Sequence, residues 1–170
     1  MSDRTVIGID PGLGGGLAAI GGKGELLELA DMPLRRSGKK KEIDGAALAE
    51  FLGRFGPAQV IVEAVHAMPK QGVASTFTFG RGVGIVLGVL QAMGLPFAEV
   101  SPQAWQGLTK GTPGEGKART LRWASELFPG AELWTKRGRG IDGRADALGL
   151  AWHGWLSMQL DEARRRGEIT

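Results

Sequence analysis

Four acidic residues stand where a carboxylate is costly to keep unless it does chemistry. Asp10 closes the run Val6-Ile7-Gly8-Ile9, and Glu63 closes Val60-Ile61-Val62, so each lies at the carboxyl end of a strongly apolar segment. If the two segments are neighbouring parallel strands, their ends are roughly 4.8 Å apart, and like charges that close need a cation between them. Asp142 and Asp146 are four positions apart, which places both on one face of a helix, able to point at a common centre. The set offers oxygen donors only, and the chain has no cysteine to supply a thiolate. Oxygen ligands suit Mg2+ or Mn2+, and two such ions about 3.5–4 Å apart can activate a water and stabilise the leaving oxygen of a phosphodiester. The chemistry expected is hydrolytic phosphoryl transfer.

Each acid also has a purely structural reading. Asp10 could open the turn at Pro11-Gly12, and Glu63 could pair with a buried arginine. Asp142 could be a helix cap, with Asp146 favoured by the positive end of the same helix.

Cations gather in two segments. Arg35, Arg36, Lys39, Lys40 and Lys41 put five positive charges into seven residues, between a strand and a helix. A flexible arm of that kind suits phosphate contacts and salt-dependent binding. Lys136, Arg137, Arg139 and Arg144 bracket Asp142, and basic side chains around an acidic centre favour a nucleic acid over a small anion. The net charge of +3 permits a polyanionic partner. Arg164-Arg165-Arg166 reads as a solvated helix end.

The elements that must position these groups follow from local patterning. Thr5–Asp10, Leu17–Ile20 and Glu25–Asp31 read as three strands joined by glycine-rich turns, with positive φ expected at Gly24. Asp44 is placed as the cap of a helix running to Phe55. Gln59–Val62 lacks polar alternation and reads as a central, doubly covered strand. A helix over Ser75–Met93, a strand over Phe97–Val100, a short helical turn after Ser101-Pro102 and a helix over Lys117–Phe128 follow. The last helix begins near Asp142 and turns Ala145, Leu148, Ala151, Trp152 and Trp155 to the core. The five tryptophans read mostly as core or loop anchors, and His153 as a packing residue. At 170 residues the chain is expected to be a single domain over 1–170. No secretory signal is read at the start, and the apolar stretch Gly82–Ala98 reads as a buried helix and strand rather than a membrane span. A cytoplasmic location is therefore the default expectation. Gly80, Gly84 and Gly88 recur every four residues. That smooth stripe could receive the chain's own sheet or a twin helix across a two-fold axis.

In order and separation, Ile7-Gly8-Ile9-Asp10-Pro11-Gly12, Ile61-Val62-Glu63 and Ala145-Asp146-Ala147-Leu148-Gly149-Leu150-Ala151 resemble the motifs of the RuvC-type Holliday junction resolvases. The resemblance spans residues 5 to about 155. It implies an RNase H-like fold with a five-stranded mixed sheet flanked by helices. It also implies a homodimer that nicks two strands of a four-way DNA junction symmetrically, with no nucleotide cofactor and no membrane. Carried over by position, Asp10, Glu63, Asp142 and Asp146 would be the ligands of two Mg2+ ions, Mn2+ being able to substitute. Lys117 would contact the scissile or a neighbouring phosphate. His66 takes the place of an aromatic that wedges into the junction, a task Met68 or Phe77 could share. Gly72–Arg81 is similar to the phage-borne branch of the family.

Three other activities share parts of this pattern. The glycine-rich segment Gly8–Gly16 also resembles the phosphate loop of actin-like kinases, which need two such halves. A non-catalytic junction-binding module and a less selective nuclease acting on flaps or hybrids are the remaining alternatives.

Overall fold

Residues 4–65 and 72–169 are described by the structure, a computed structural model. The β-branched run at the start forms β1 (Val6–Ile9), the centre of a five-stranded sheet with β2 (Gly16–Ile20), β3 (Leu26–Asp31), β6 (Gln59–Glu63) and β7 (Phe97–Val100). The order is β3-β2-β1-β6-β7. β1, β2 and β3 are antiparallel, while β6 runs parallel to both β1 and β7. Gly24 takes φ 84° in the β2–β3 turn, as expected. The sheet is thus mixed, with helices on both faces.

The two-residue period of β1 divides the core. Ile7 and Ile9 point to the layer that holds α1 (Gly45–Gly53) and α2 (Val73–Ala92). Val6 and Gly8 face the other layer, where α5 (Asp142–Arg165) lies across the sheet and α4 (Gly116–Leu127) packs beside it. A short α3 (Pro102–Gln106) and a 3-10 turn (Gly107–Thr109) connect β7 to α4. Asp44 caps α1 through the backbone N–H groups of Ala46 and Ala47, as its sequence position predicts.

Two expectations require correction. The basic segment after β3 is not a flexible arm but an ordered hairpin, β4 (Leu34–Ser37) against β5 (Lys40–Ile43), turning at Gly38 with φ 62°. Its order comes from Ile43, which is buried, and from Glu42, whose carboxylate joins Arg35 at 2.8 Å and Arg81 of α2. The dense charge of this segment hides that anchor in the sequence. Second, α2 is not a buried helix. Only Gly82, Val86 and Leu90 are fully covered, and Val73 and Phe77 are 87% and 72% exposed. The sheet, α1 and the hairpin cover one side of this helix, with Ile85, Leu87 and Val89 partly buried, and the side that carries Val73, Phe77, Gly80, Gly84 and Gly88 is left exposed among the described residues. Gly80, Gly84 and Gly88 lie on that open side with no atom near their Cβ positions, so the stripe does not receive the chain's own sheet.

Candidate active site

The parallel register pairs Ile9 with Val62, so Asp10 and Glu63 leave adjacent strands side by side, one residue beyond the paired positions. Asp146 is brought to them by α5. Its approach depends on Gly8: a Cβ there would run into the carbonyl oxygen of Ala147 and the backbone nitrogen of Ala151. A parallel bridge between Gly15 and Gly143 fixes the start of the same helix against the β1–β2 loop. Asp10 Oδ1 accepts the Gly12 N–H at 3.2 Å, which orients the carboxylate at the strand end. The turn reading of Asp10 therefore holds together with its place in the site.

These carboxylates act on one another. Burial pushes the Asp146 carboxyl up to about 7, and the charges of Asp10, Glu63 and Asp142 push the same way against Lys117. Asp10 is also raised by burial, opposed by the Gly12 N–H and by Lys117. Glu63 is raised by burial too; the Trp105 hydrogen bond opposes this and the Asp10 charge adds to it. Desolvated like charges in mutual repulsion are what a site for hard cations requires, since a bound ion removes the repulsion. Among the described residues, no three acidic or histidine side chains are yet drawn together closely enough to hold an ion. Two of the four acids are engaged elsewhere: Glu63 accepts from Trp105, and Asp142 pairs with Lys117 at 2.8 Å.

A cleft of about 620 Å³ opens over the acids, with Asp10, Asp142, Asp146 and Lys117 in its wall. Asp142 is the first residue of α5 rather than its cap, which is Ile141. Lys117, in the first turn of α4, is held protonated chiefly by its hydrogen bond to Asp142 and the charge of that residue. His153 lies outside this wall, and burial alone lowers its pKa.

Sequence reading missed Trp105 as a functional neighbour. The indole is fully buried and donates its Nε1–H to Glu63 Oε1 at 3.0 Å. Gly149 makes room for it, since a Cβ there would come within 2.5 Å of the ring. One side chain therefore links the strand that carries Glu63 to the helix that carries Asp146. The motif Ala145–Ala151 contained the signal, in a mid-helix glycine with no other purpose.

The cations divide into two groups. Arg35, Arg36, Lys39, Lys40 and Lys41 belong to the β4–β5 hairpin and are exposed. Lys136, Arg137 and Arg139 line a separate opening on the loop that precedes α5, and Arg139 also reaches the acidic cleft. Arg144 behaves differently from the surface phosphate contact expected of it. Its mostly buried guanidinium donates to Asp31 Oδ1 at 2.7 Å and to the Glu132 carbonyl at 2.8 Å, clamping that loop to β3. His66 and Met68 lie outside the described residues; Phe77 is exposed near the start of α2.

No known family's sequence profile matches the chain, and no curated protein matches it in sequence. Solved structures do match. T. thermophilus RuvC in complex with a Holliday junction substrate is 22% identical, with 92% of this chain and 96% of that chain aligned at a TM-score of 0.67. A second Thermus thermophilus RuvC structure is 23% identical over the same shares, at 0.61. The yeast mitochondrial Holliday junction resolvase Ydc2 is 14% identical, over 96% of this chain and 84% of that chain, at 0.58. The chain thus has the RNase H-like fold in the form these resolvases share.

Proposed function

Proceeding from a chain with the fold of RuvC-type resolvases, we propose that it is a divalent-metal-dependent endonuclease that resolves four-way DNA junctions by paired, symmetric nicks. The observation that carries this reading is the approach of Asp10, Glu63 and Asp146, far apart in the sequence, where burial raises all three carboxyl pKa values and the neighbouring carboxylates add to the rise of Glu63 and Asp146. Asp10, Glu63, Asp142 and Asp146 would hold two Mg2+ ions, or Mn2+ in their place. Bound there, such ions activate a water and neutralise the leaving oxygen. The protein's own contribution is to exclude solvent around Asp146 and to fix Glu63 through Trp105. Lys117 supplies a mobile charge for a phosphate once Asp142 is otherwise engaged.

The β4–β5 hairpin and Lys136, Arg137 and Arg139 would carry the DNA backbone, with His66 or Phe77 opening the junction. We read residues 1–170 as a single nuclease domain of the phage-like branch, working in the cytoplasm and needing no nucleotide cofactor. By length and composition α2 could cross a membrane, yet its buried stripe is part of the core beneath the sheet. Its open apolar side suits a second copy of the chain instead. Gly84→Arg, at a position with no near neighbour, should then turn a dimer into a monomer in sedimentation while leaving the far-UV circular dichroism of the folded chain unchanged.

The deciding assay offers a synthetic four-way junction, a flap, an RNA–DNA hybrid and a linear duplex, each with and without Mg2+. Symmetric junction nicks that need the ion are expected. Binding without nicking under every divalent ion would leave a junction-binding module, and equal cleavage of all four substrates a less selective nuclease. Trp105→Phe keeps the ring and removes the donor. It should raise the Mg2+ concentration for half-maximal cleavage about tenfold, the equivalent of roughly 1.4 kcal/mol for one bond to a charged group.

A further inference from the structure

The segment before α5 is a rigid hairpin that points an aromatic face into the cleft. The Ile141 N–H donates to the Leu133 carbonyl at 2.9 Å, and the Thr135 N–H to the Arg139 carbonyl at 2.8 Å. Trp134 bridges Gly140 between them. The Arg139 N–H closes the turn onto Thr135 Oγ1 at 3.0 Å. Alternation along this hairpin buries Leu133 completely and leaves Trp134 51% exposed. Gly140 lets the hairpin lie directly on Leu121 of α4, because a Cβ would collide with that side chain. Arg144 pins the other flank through the Glu132 carbonyl.

The backbone that carries the exposed indole is therefore held in place. It lines the same cleft as Asp10, Asp142 and Asp146, whose wall also includes Arg122 and Arg139. Trp105 and Trp155 give their N–H groups to the protein, and Trp152 stacks on Trp155. Trp134 has no ring or hydrogen-bond partner among the described residues. An exposed apolar plane in a cleft that also holds two guanidinium groups and a carboxylate centre matches one chemical partner well. That partner is a nucleotide whose base is out of the helical stack and whose phosphates lie along the cations.

We propose that Trp134 is a stacking platform for an unstacked base next to the phosphodiester cleaved in this cleft. The idea rests on the nuclease reading above and adds a source of selectivity. A base inside continuous duplex has no free face to offer, whereas a branch point or single strand does. Trp134 would discriminate by substrate shape without reading sequence.

The test measures binding by the full chain in EDTA, so it does not depend on which substrate is cut. Probes are a dT dodecamer, an abasic dodecamer of equal charge and a linear duplex. Wild-type protein should show tryptophan quenching with the dT strand and bind it about 10- to 100-fold more tightly than the abasic strand. Trp134→Ala should lose both the quenching and that preference, Trp134→Phe should keep most of the preference, and duplex affinity should change less than about twofold. Equal binding of dT and abasic strands by wild type would overturn the proposal even if the variants were unstable. So would an unchanged preference in a folded Trp134→Ala protein. Failure of junction cleavage alone would count against the proposed function and leave this result standing.

Discussion

Asp146→Asn is expected to abolish junction cleavage, to leave junction affinity equal or higher, and to make the metal-free protein more stable at neutral pH. The three results have one cause. Asp146 keeps its proton up to about pH 7 in the folded chain, well above the ordinary aspartate value of 3.8. Between those values the native state binds more protons than the unfolded state, so stability falls as pH rises through this window and the deficit is complete above about 7. Full expression of the shift would cost on the order of 4 kcal/mol, and the surviving solvent access and relaxation reduce it to about 2–3 kcal/mol. Asparagine removes that penalty together with the ligand. Melting curves in EDTA should show the variant ahead of wild type at pH 8, with a smaller gap at pH 5. Added Mg2+ should close the gap by stabilising wild type alone. Binding measured in Ca2+ should not weaken, since the variant has one negative charge fewer near DNA. An active variant, or one whose lead in stability grows on acidification, would refute the assigned role.

Gly8→Ala is expected to be a severely damaging single methyl group. The added Cβ would meet backbone atoms of Ala147 and Ala151, which cannot rotate away as a side chain would. Relief requires α5 to lift from β1, taking Asp146 away from Asp10 and opening a gap beside Ala145 and Leu148. Overpacking of a close contact costs about 1–3 kcal/mol when side chains can yield, and a backbone collision at the sheet's centre should lie at or beyond the upper end of that range. The urea midpoint should fall accordingly. Any folded fraction should have lost its Mg2+-dependent cleavage even where junction binding survives. A midpoint within error of wild type would mean that α5 does not sit on Gly8.

How much of this could be read in advance depended on what each residue's signal was. The strand ends at Asp10 and Glu63 were legible because apolar runs broken by one acid have few structural excuses, and the helix pairing of Asp142 with Asp146 follows from spacing. The mixed sheet and nearly every helix were legible for the same reason. The β4–β5 hairpin was not, because Arg35, Arg36, Lys39, Lys40 and Lys41 mask the two positions that fold it, Glu42 and Ile43. Arg144 looked like its cationic neighbours, and only its partners Asp31 and Glu132, distant in sequence or across a loop, give it a structural task. Trp105 and Trp134 have the same residue type and opposite environments. Composition and periodicity cannot separate them, because burial there is decided by Gly149 in one case and by a five-residue turn in the other.

On the proposed nuclease reading, the seating of α5 on β1 also sets when the protein would become dangerous to a genome. During synthesis the ribosome releases β1 early, but the helix that rests on Gly8 begins only at Asp142. A nascent or prematurely terminated chain ending before that point has strand-end acids but neither the partner aspartate nor the apolar cover that desolvates the cluster. The proposed cutting centre would therefore be assembled last, by a pairing of remote segments that is intrinsically slow to form, and incomplete products would be harmless to the DNA around them.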